Sequence, residues 1–390
     1  MNPHQERYLL NSASVYDNGI LLMKIVYAIR HVGLTGGVKV FFQHVELLRN
    51  MGHTVYLITR FIDEQWGFRV KPVIVRSFDE QSVPEADAIV VTTPKDVEDL
   101  WIVAKKRKIP LFHFMQGFEP DYVLERIRGN VVPERFRSKG FLTKLNYLRK
   151  KYGWKQRLKR FDVLYKLPTV KIAISPHLVA GVEKRFNMPC YLLSNGIDRK
   201  IFYPKKKELD YSGAIRILSV GNFTIEYKAI PDILKAVGIL KESRKNIFLT
   251  RVSPADIPDE ERDYGVVDRF LVRISEQEMA DLYRESHILI SASTEIEGFG
   301  LPPVEAMSAG TPIVLTKVSP FLAFDAVQDY AYFVNVHKPE EIAQAVIEIA
   351  RDEKLRSSLI KRGFEVSGKY AIENVGETLE TILRKHVEKG

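Results

Sequence analysis

Two glutamates, Glu297 and Glu305, bracket the stretch Gly298-Phe299-Gly300-Leu301-Pro302-Pro303, which follows an apolar segment ending near Ser291. The glycines let backbone approach a ligand closely. The prolines suit the first turn of a helix, where no N–H bond is needed. Such a loop presents free N–H groups at a helix N-terminus, an anion site fitted to a diphosphate. Glu297 falls on the loop and Glu305 about one turn into the helix. A carboxylate repels a phosphate, so the task open to both is accepting hydroxyl hydrogen bonds, from a sugar or a ribose. The structural alternative is a capped helix with two solvated acids. No cluster of Asp, His or Cys has divalent-metal spacing, so no metal or other cofactor is expected. The cation role falls to side chains and a helix dipole.

Those residues need a scaffold, and the chain alternates apolar strands with amphipathic helices, the pattern of parallel α/β sheets. Met23–Ile29 reads as a buried strand. A turn with Gly33, Gly36 and Gly37 follows, then a helix over 38–50 with Val38, Phe41, Phe42, Val45 and Leu48 on one face. The turn serves either a nucleotide or close helix–strand packing. Further strands are read at Thr54–Thr59, Pro72–Arg76, Asp87–Thr93, Pro110–Phe114 and Val170–Ser175. A second series starts at Ile215–Gly221 and runs through Asn246–Thr250, Arg269–Arg273, His287–Ser291 and Pro312–Leu315. Leu192–Asp198 reads as a hinge. The fold class is α/β: two Rossmann-like domains facing across a cleft. The divisions are a tail at 1–22, a first domain at 23–193, a second at 194–370 and a C-terminal helix at 371–390. That helix is expected to pack back on the first domain.

Glu297-x7-Glu305 with the G-F-G loop, the prolines and the trailing Ala306–Pro312 resembles the E-x7-E signature of retaining GT-B glycosyltransferases, family 4 (group 1). Gly33–Gly37, Ile174-Ser175 and Ser194–Asp198 are similar to the family's opening and interdomain stretches. The resemblance implies that Glu297 meets the donor sugar and Glu305 the nucleotide ribose. The amides near Gly298, Phe299, Gly300 and Leu301 then meet sugar and diphosphate, with Gly36 and Gly37 also at the donor. Gly221-Asn222 through Lys228-Ala229 resembles the segment whose Arg and Lys grip the diphosphate. Lys228 fits the Lys, while Asn222 stands for Arg and Ala229 for Gly, so Arg251 or Arg273 is the candidate substitute cation. Val272 and Arg273 fall where the family's base-contacting loop lies. Where many members carry a His after Leu111–Phe114, this chain has Gln116, which hydrogen-bonds a hydroxyl but is no base. Glu119 is the nearby base if it reaches. The Gln116–Pro120 stretch is also similar to surface-glycan rhamnosyltransferases, which makes a deoxysugar donor thinkable. His113 reads as a packed strand histidine or a catalytic one.

The chain has 390 residues, net charge +9 and one cysteine, Cys190. A disulfide framework and a thiolate zinc site are excluded, and a reducing cytoplasm is expected. No apolar run reaches the ~20 residues of a membrane span, and residues 1–22 do not read as a signal peptide. Between Leu124 and Lys166 fourteen Lys or Arg face three acids, so the basicity belongs to one insertion, 124–166. Its apolar residues Phe141, Leu142, Leu145, Leu148 and Tyr152, then Trp154, Leu158, Phe161 and Tyr165, break phase at Gly153 and predict two short helices. Residues 141–165 suit an anionic membrane surface, a packed helix pair with a solvated basic face, or a groove for an anionic acceptor. Without a helix-turn-helix, RNP or zinc signature, nucleic acid is not expected.

The function these readings imply is transfer of a sugar from a nucleotide-sugar donor to a glycan or lipid-linked acceptor, in surface polysaccharide or glycoconjugate biosynthesis. The enzyme would be a hexosyl- or deoxyhexosyltransferase, cytoplasmic or peripheral on the inner leaflet. Glu297, Lys228, Gln116 and Glu119 are the candidate catalytic residues. The alternatives are a sugar-nucleotide epimerase on the same fold and a non-catalytic sugar-nucleotide-binding protein.

Overall fold

The computed structural model describes residues 15–17, 20–33, 36–62, 70–129, 141–204, 209–243 and 246–388. The first half contains β1 (Val15–Asp17), β2 (Ile20–Leu22), β3 (Lys24–Val32), α1 (Gly36–Asn50), β4 (Thr54–Ile62), β5 (Val73–Ile74) and β6 (Ala88–Val91). It continues through α2 (Pro94–Arg107), β7 (Leu111–Met115), α3 (Glu119–Arg128), α4 (Phe141–Tyr165), β8 (Val170–Ala173), α5 (Pro176–Phe186) and β9 (Cys190–Leu192). The second half contains β10 (Ile215–Val220), α6 (Ile230–Ser243), β11 (Ile247–Ser253), α7 (Asp259–Arg262), β12 (Arg269–Val272), α8 (Glu276–Glu285) and β13 (Ile288–Ser291). It ends with α9 (Leu301–Ser308), β14 (Ile313–Thr316), α10 (Ser319–Leu322), β15 (Tyr332–Val334), α11 (Pro339–Arg351), α12 (Glu353–Gly368) and α13 (Ile372–Val387).

Two parallel sheets result, in the orders β5-β4-β3-β6-β7-β8-β9 and β12-β11-β10-β13-β14-β15. In each, the first long strand is central: β3 pairs Ile25 with both Val55 and Ala88, and β10 pairs Ile217 with both Leu249 and Ile288. The crevice beyond the carboxyl ends of such strands, where the order reverses, is where doubly wound sheets bind ligands. Helix α1 buries Val38, Phe41, Val45 and Leu48 against its sheet, the face that the spacing predicts. Each such side chain is worth roughly 1.5–3 kcal/mol of burial. Strands β9 and β15, three residues each, extend the sheets beyond the strands read from the sequence. Residues 15–22, within the stretch read as a tail, hold the antiparallel pair β1–β2.

The two short helices expected at 141–165 are one continuous helix, α4. Tyr147, Trp154, Leu158, Phe161 and Tyr165 fall on one inward stripe, while Tyr152 is 66% exposed and not part of the apolar face. Gly153 is exposed and no atom lies near its position for a Cβ, so the helix runs through it at a cost of about 1 kcal/mol. Residues 130–140 of the basic insertion lie outside the described residues.

The chain crosses between domains twice, side by side. Ile197 N–H donates to the Tyr370 carbonyl at 2.8 Å, and Ile372 N–H to the Ile197 carbonyl at 3.0 Å. Gly196 is needed here, because a Cβ would stand 2.9 Å from Ile372 Cα. Helix α13 then packs on the first domain: Gly376 lies against Leu47 and Met51, and His53 Nε2 lies 2.9 Å from Glu380 Oε1. Among the described residues no helix is long and apolar enough to cross a membrane.

Candidate functional site

The loop after β13 is built as its residue types require. Gly300 caps α9 with φ +91°, a conformation that favours glycine, and a Cβ there would meet Phe321 Cε1 at 2.5 Å. Pro302 and Pro303 fill the first turn. Among the described residues the N–H groups of Phe299, Gly300 and Leu301 donate to nothing in the chain. The Phe299 ring is buried against Phe324 and Tyr370, which fixes the loop from below.

Glu297 is 6% exposed and held at one oxygen: Lys228 Nζ lies 2.7 Å from Oε2, and Ser293 Oγ donates to the same oxygen at 2.8 Å. Burial pushes the Glu297 pKa up. The Lys228 charge, with the Ser293 and Gly298 hydrogen bonds, more than offsets this and leaves it below its usual value. Lys228 responds in the opposite sense: burial pulls it down, and Glu297 brings it above the ordinary lysine value. The family resemblance gives these two residues to sugar and diphosphate separately; the structure joins them to each other. Lys228 reaches Glu297 from a short 3-10 turn over Glu226–Lys228. Ala229 follows at φ +46°, the left-handed geometry that makes glycine the easier residue there.

Glu305 is 5% exposed, and both its oxygens are engaged. Tyr283 O–H donates to Oε2 at 2.9 Å, and Lys39 Nζ stands 2.7 Å from Oε1. Lys39 belongs to the first turns of α1, in the other domain, and also lies 2.7 Å from Glu276 Oε1. Helix α8 fixes both Glu276 and Tyr283. It starts on a reciprocal cap in which Ser275 and Glu278 exchange side-chain and backbone bonds.

The first domain meets this loop closely. Ser175 Oγ donates to the Gly298 carbonyl at 2.8 Å, and His177 Nε2 lies 3.1 Å from the Glu297 carbonyl. Gln116 lies at the same junction, its Nε2 donating to the Gly37 carbonyl at 2.9 Å. Gly37 permits that approach, because a Cβ would sit 2.7 Å from Gln116 Oε1. Gly36 faces Leu301, with the position for its Cβ 3.5 Å from Leu301 Cδ1. Glu119 is engaged inside the first domain, where it accepts the Tyr165 hydroxyl, and burial raises its pKa. Nearby, Tyr122 O–H donates to Glu226 at 3.0 Å and Arg126 pairs with the same carboxylate at 3.1 Å, a further cross-domain contact two residues before Lys228.

Asn222 folds on itself, its Oδ1 accepting from Thr224 N–H and O–H at 2.9 Å. Arg251, one candidate for the missing cation, is not available for it. It is fully buried, pairs with Glu261 at 2.8 Å, and holds the Ser219 and Gly221 carbonyls. The reason is its place inside β11, where a buried guanidinium must be fully bonded. Arg273 follows Val272 at the end of β12 with φ +55°, its guanidinium 3.8 Å from Asp256. His113 is fully buried with its ring against Tyr165, and burial pushes its pKa down to about 3, so it stays a neutral packed histidine.

Lys39, Tyr283, Ser293 and His177 do not stand out from the sequence, and Ser175 does so only through the Ile174-Ser175 resemblance. Lys39 and Glu305 are 266 residues apart, so no spacing rule connects them. The signal open to inspection is a lone lysine just after Gly36-Gly37 on a helix that faces the cleft.

Residues 203–366 match the family model of the glycosyl transferases, group 1. The poly(glycerol-phosphate) alpha-glucosyltransferase of Bacillus subtilis (strain 168) is 25% identical over 259 residues, 63% of this chain and 37% of that protein. The matched stretch spans 37% to 55% of the length of the first three curated relatives. The sucrose-phosphate synthase structure from Thermosynechococcus elongatus superposes with a TM-score of 0.74 at 17% identity, over 94% of this chain and all of that one. Anabaena HepE, solved in complex with UDP-glucose, gives 0.68 at 13% identity, over 93% and 100%. At these identities the structures share the GT-B fold of two facing Rossmann-like domains.

Proposed function

We propose, for a chain that carries a glycosyltransferase group 1 domain on two facing Rossmann-like domains, transfer of a sugar from a nucleotide-sugar donor to a glycan or lipid-linked acceptor with retention of anomeric configuration. The setting is surface polysaccharide or glycoconjugate biosynthesis. The carrying observation is the loop 297–301, where three N–H groups at the start of α9, without an acceptor among the described residues, stand between two buried glutamates. The UDP-glucose held by HepE and the glucosyltransferase name of the Bacillus subtilis relative agree with this reading.

In this reading Glu305 takes the ribose hydroxyls and Glu297 those of the sugar, while Lys228 and the N–H groups of Phe299, Gly300 and Leu301 hold the diphosphate. As the bond from the anomeric carbon to the diphosphate breaks, negative charge builds on the departing oxygen. Fixed donors aimed at it lower the barrier. The acceptor oxygen bonds to the anomeric carbon on the same face and its proton passes to the departing phosphate oxygen. Domain closure excludes water and suppresses hydrolysis. No group of three His, Cys, Asp or Glu suited to a metal occurs among the described residues, and we propose that transfer survives excess EDTA.

For α4 the reading is an anionic membrane surface on the cytoplasmic side. Leu148, Tyr152 and Val163 are 61%, 66% and 65% exposed, and Lys155 and Lys159 fall on the same outward stripe. Ile102 of α2, a helix that packs on α4, is 70% exposed. Apolar anchors interleaved with lysines suit such a surface, at about 1 kcal/mol per basic residue. Sedimentation with anionic but not neutral vesicles, lost in Lys155→Glu/Lys159→Glu, is expected; binding to neither contradicts it.

Incubation with nucleotide-sugar donors tests the whole. Nucleotide release that rises with added glycan acceptor is expected. Conversion of the donor alone points instead to an epimerase, and neither outcome to a sugar-nucleotide-binding protein.

A further inference from the structure

Lys39 brings its charge to this site from the opposite domain. Its ammonium sits 2.7 Å from Glu305 Oε1 and 2.7 Å from Glu276 Oε1, both in the second domain, and 5.0 Å from the centre of the Phe202 ring. The side chain is 15% exposed, Glu305 7% and Glu276 41%. This is a cross-domain ion pair with one buried and one exposed carboxylate. Burial opposes the ammonium charge, yet the two carboxylates hold its pKa above the ordinary lysine value, so it is charged at any working pH.

Charge balance gives the pair its meaning. Glu297, Glu305 and Glu276 bring three negative charges to the cleft, and from the second domain Lys228 answers with one. Arg251 is spent inside the fold on Glu261, and Asn222 is neutral. With Lys228 alone the balance is −2, and the Lys39 ammonium contributed by the first domain brings it to −1, which lessens the repulsion that a diphosphate meets. Glu305 meanwhile is held on both oxygens, by Lys39 and by Tyr283. A carboxylate has about four acceptor positions, so two remain for ribose hydroxyls.

We propose that Lys39 is a positioning residue that couples domain closure to nucleotide binding. From the first domain it locks Glu305 in its hydroxyl-accepting pose and adds a second ammonium to that of Lys228. This rests on the donor reading above. The nucleotide then finds a complete site in the closed form alone, and closing costs less once the nucleotide is bound.

The test combines calorimetry against UDP, GDP, ADP and dTDP with small-angle scattering of the full chain. Lys39→Met keeps an unbranched apolar side chain and removes the charge. It should enlarge the radius of gyration of the unliganded chain and raise the Kd of the bound nucleotide about tenfold, the scale of one charge-assisted hydrogen bond. The loss should fall more on the donor KM than on kcat at saturating donor, because the main effect lies in assembling the site. Lys39→Arg should restore both size and Kd. Glu276→Gln should loosen the wild-type chain and add nothing in the Lys39→Met background, since it acts through the same ammonium. An unchanged Kd and radius in Lys39→Met, equal losses in Lys39→Arg, or additive effects of Glu276→Gln would overturn the proposal. A wild-type chain that binds none of the four nucleotides would overturn the donor reading instead, while the scattering comparison still decides whether Lys39 latches the domains.

Discussion

Gly298 of the second domain lies so close to Gln116 of the first that a Cβ on it would stand 2.2 Å from the Gln116 carbonyl oxygen. No side chain fits that space, so the glycine is a condition of the closed cleft. With Ser175 donating to the Gly298 carbonyl, this contact sets the distance between the domains at the site.

Gly298→Ala should therefore leave each domain folded and prevent full closure. Gly298 is not among the positive-φ glycines, so alanine strains nothing locally. Relief of the clash opens the cleft and gives up the Ser175 and His177 contacts, so stability should fall by about 0.5–3 kcal/mol. The catalytic efficiency should fall at least on the order of tenfold through loss of near-attack geometry. Wild-type turnover in Gly298→Ala would show that the cleft works at a wider spacing.

Glu297→Ala should lower kcat on the order of a hundredfold, the scale of one lost preorganised electrostatic contact. The nucleotide Kd should change little. The substitution also leaves Lys228, 23% exposed, without its partner, so the double variant with Lys228→Ala should fall well short of the sum of the single effects. Steady-state kinetics on the four variants of the cycle reads both. A kcat within about twofold of wild type in Glu297→Ala would remove it from the chemistry.

His113 gives a stability prediction. Burial, helped by the Lys171 charge, holds its folded pKa at about 3, below the ~6.5 of an exposed histidine. Below pH 6.5 the unfolded chain takes a proton here that the folded chain refuses, so stability falls as pH drops toward 3. The slope contributed is ~1.4 kcal/mol per pH unit. His113→Phe should flatten the loss between pH 6 and pH 5 by about that amount, measured by denaturant titration at each pH. An identical slope in the variant would mean that His113 is protonated in the fold.

What the sequence made legible was what lies contiguous in it. The loop from Glu297 to Leu301 carries its own glycines and prolines, so its anion-binding form follows from local chemistry, and the strand–helix alternation places it at a sheet's carboxyl edge. Pairings across long separations were not legible: Lys228 with Glu297, 69 residues apart, and Lys39 with Glu305. Nothing local distinguishes Arg251, buried with Glu261, from a cation facing the cleft. Gly153 was misleading for a related reason. A helix tolerates an exposed glycine when the packed stripe on either side, Tyr147 and Trp154, keeps its seven-residue step, and that stripe is visible only once the partner surface is known.

Calorimetric titration of wild type and Glu305→Ala with UDP, GDP, ADP and dTDP bears most directly on the donor site in the second domain. Glu305 is buried, held by Tyr283 and Lys39, and one turn beyond the free N–H groups of the loop. One of the four nucleotides should bind the wild-type chain, and Glu305→Ala should raise its Kd at least about tenfold through the lost ribose contacts, the scale of hydrogen bonds to a charged group. Binding of none of the four, or the same Kd with and without the Glu305 carboxylate, would contradict the assignment of this cleft to a nucleotide-sugar donor.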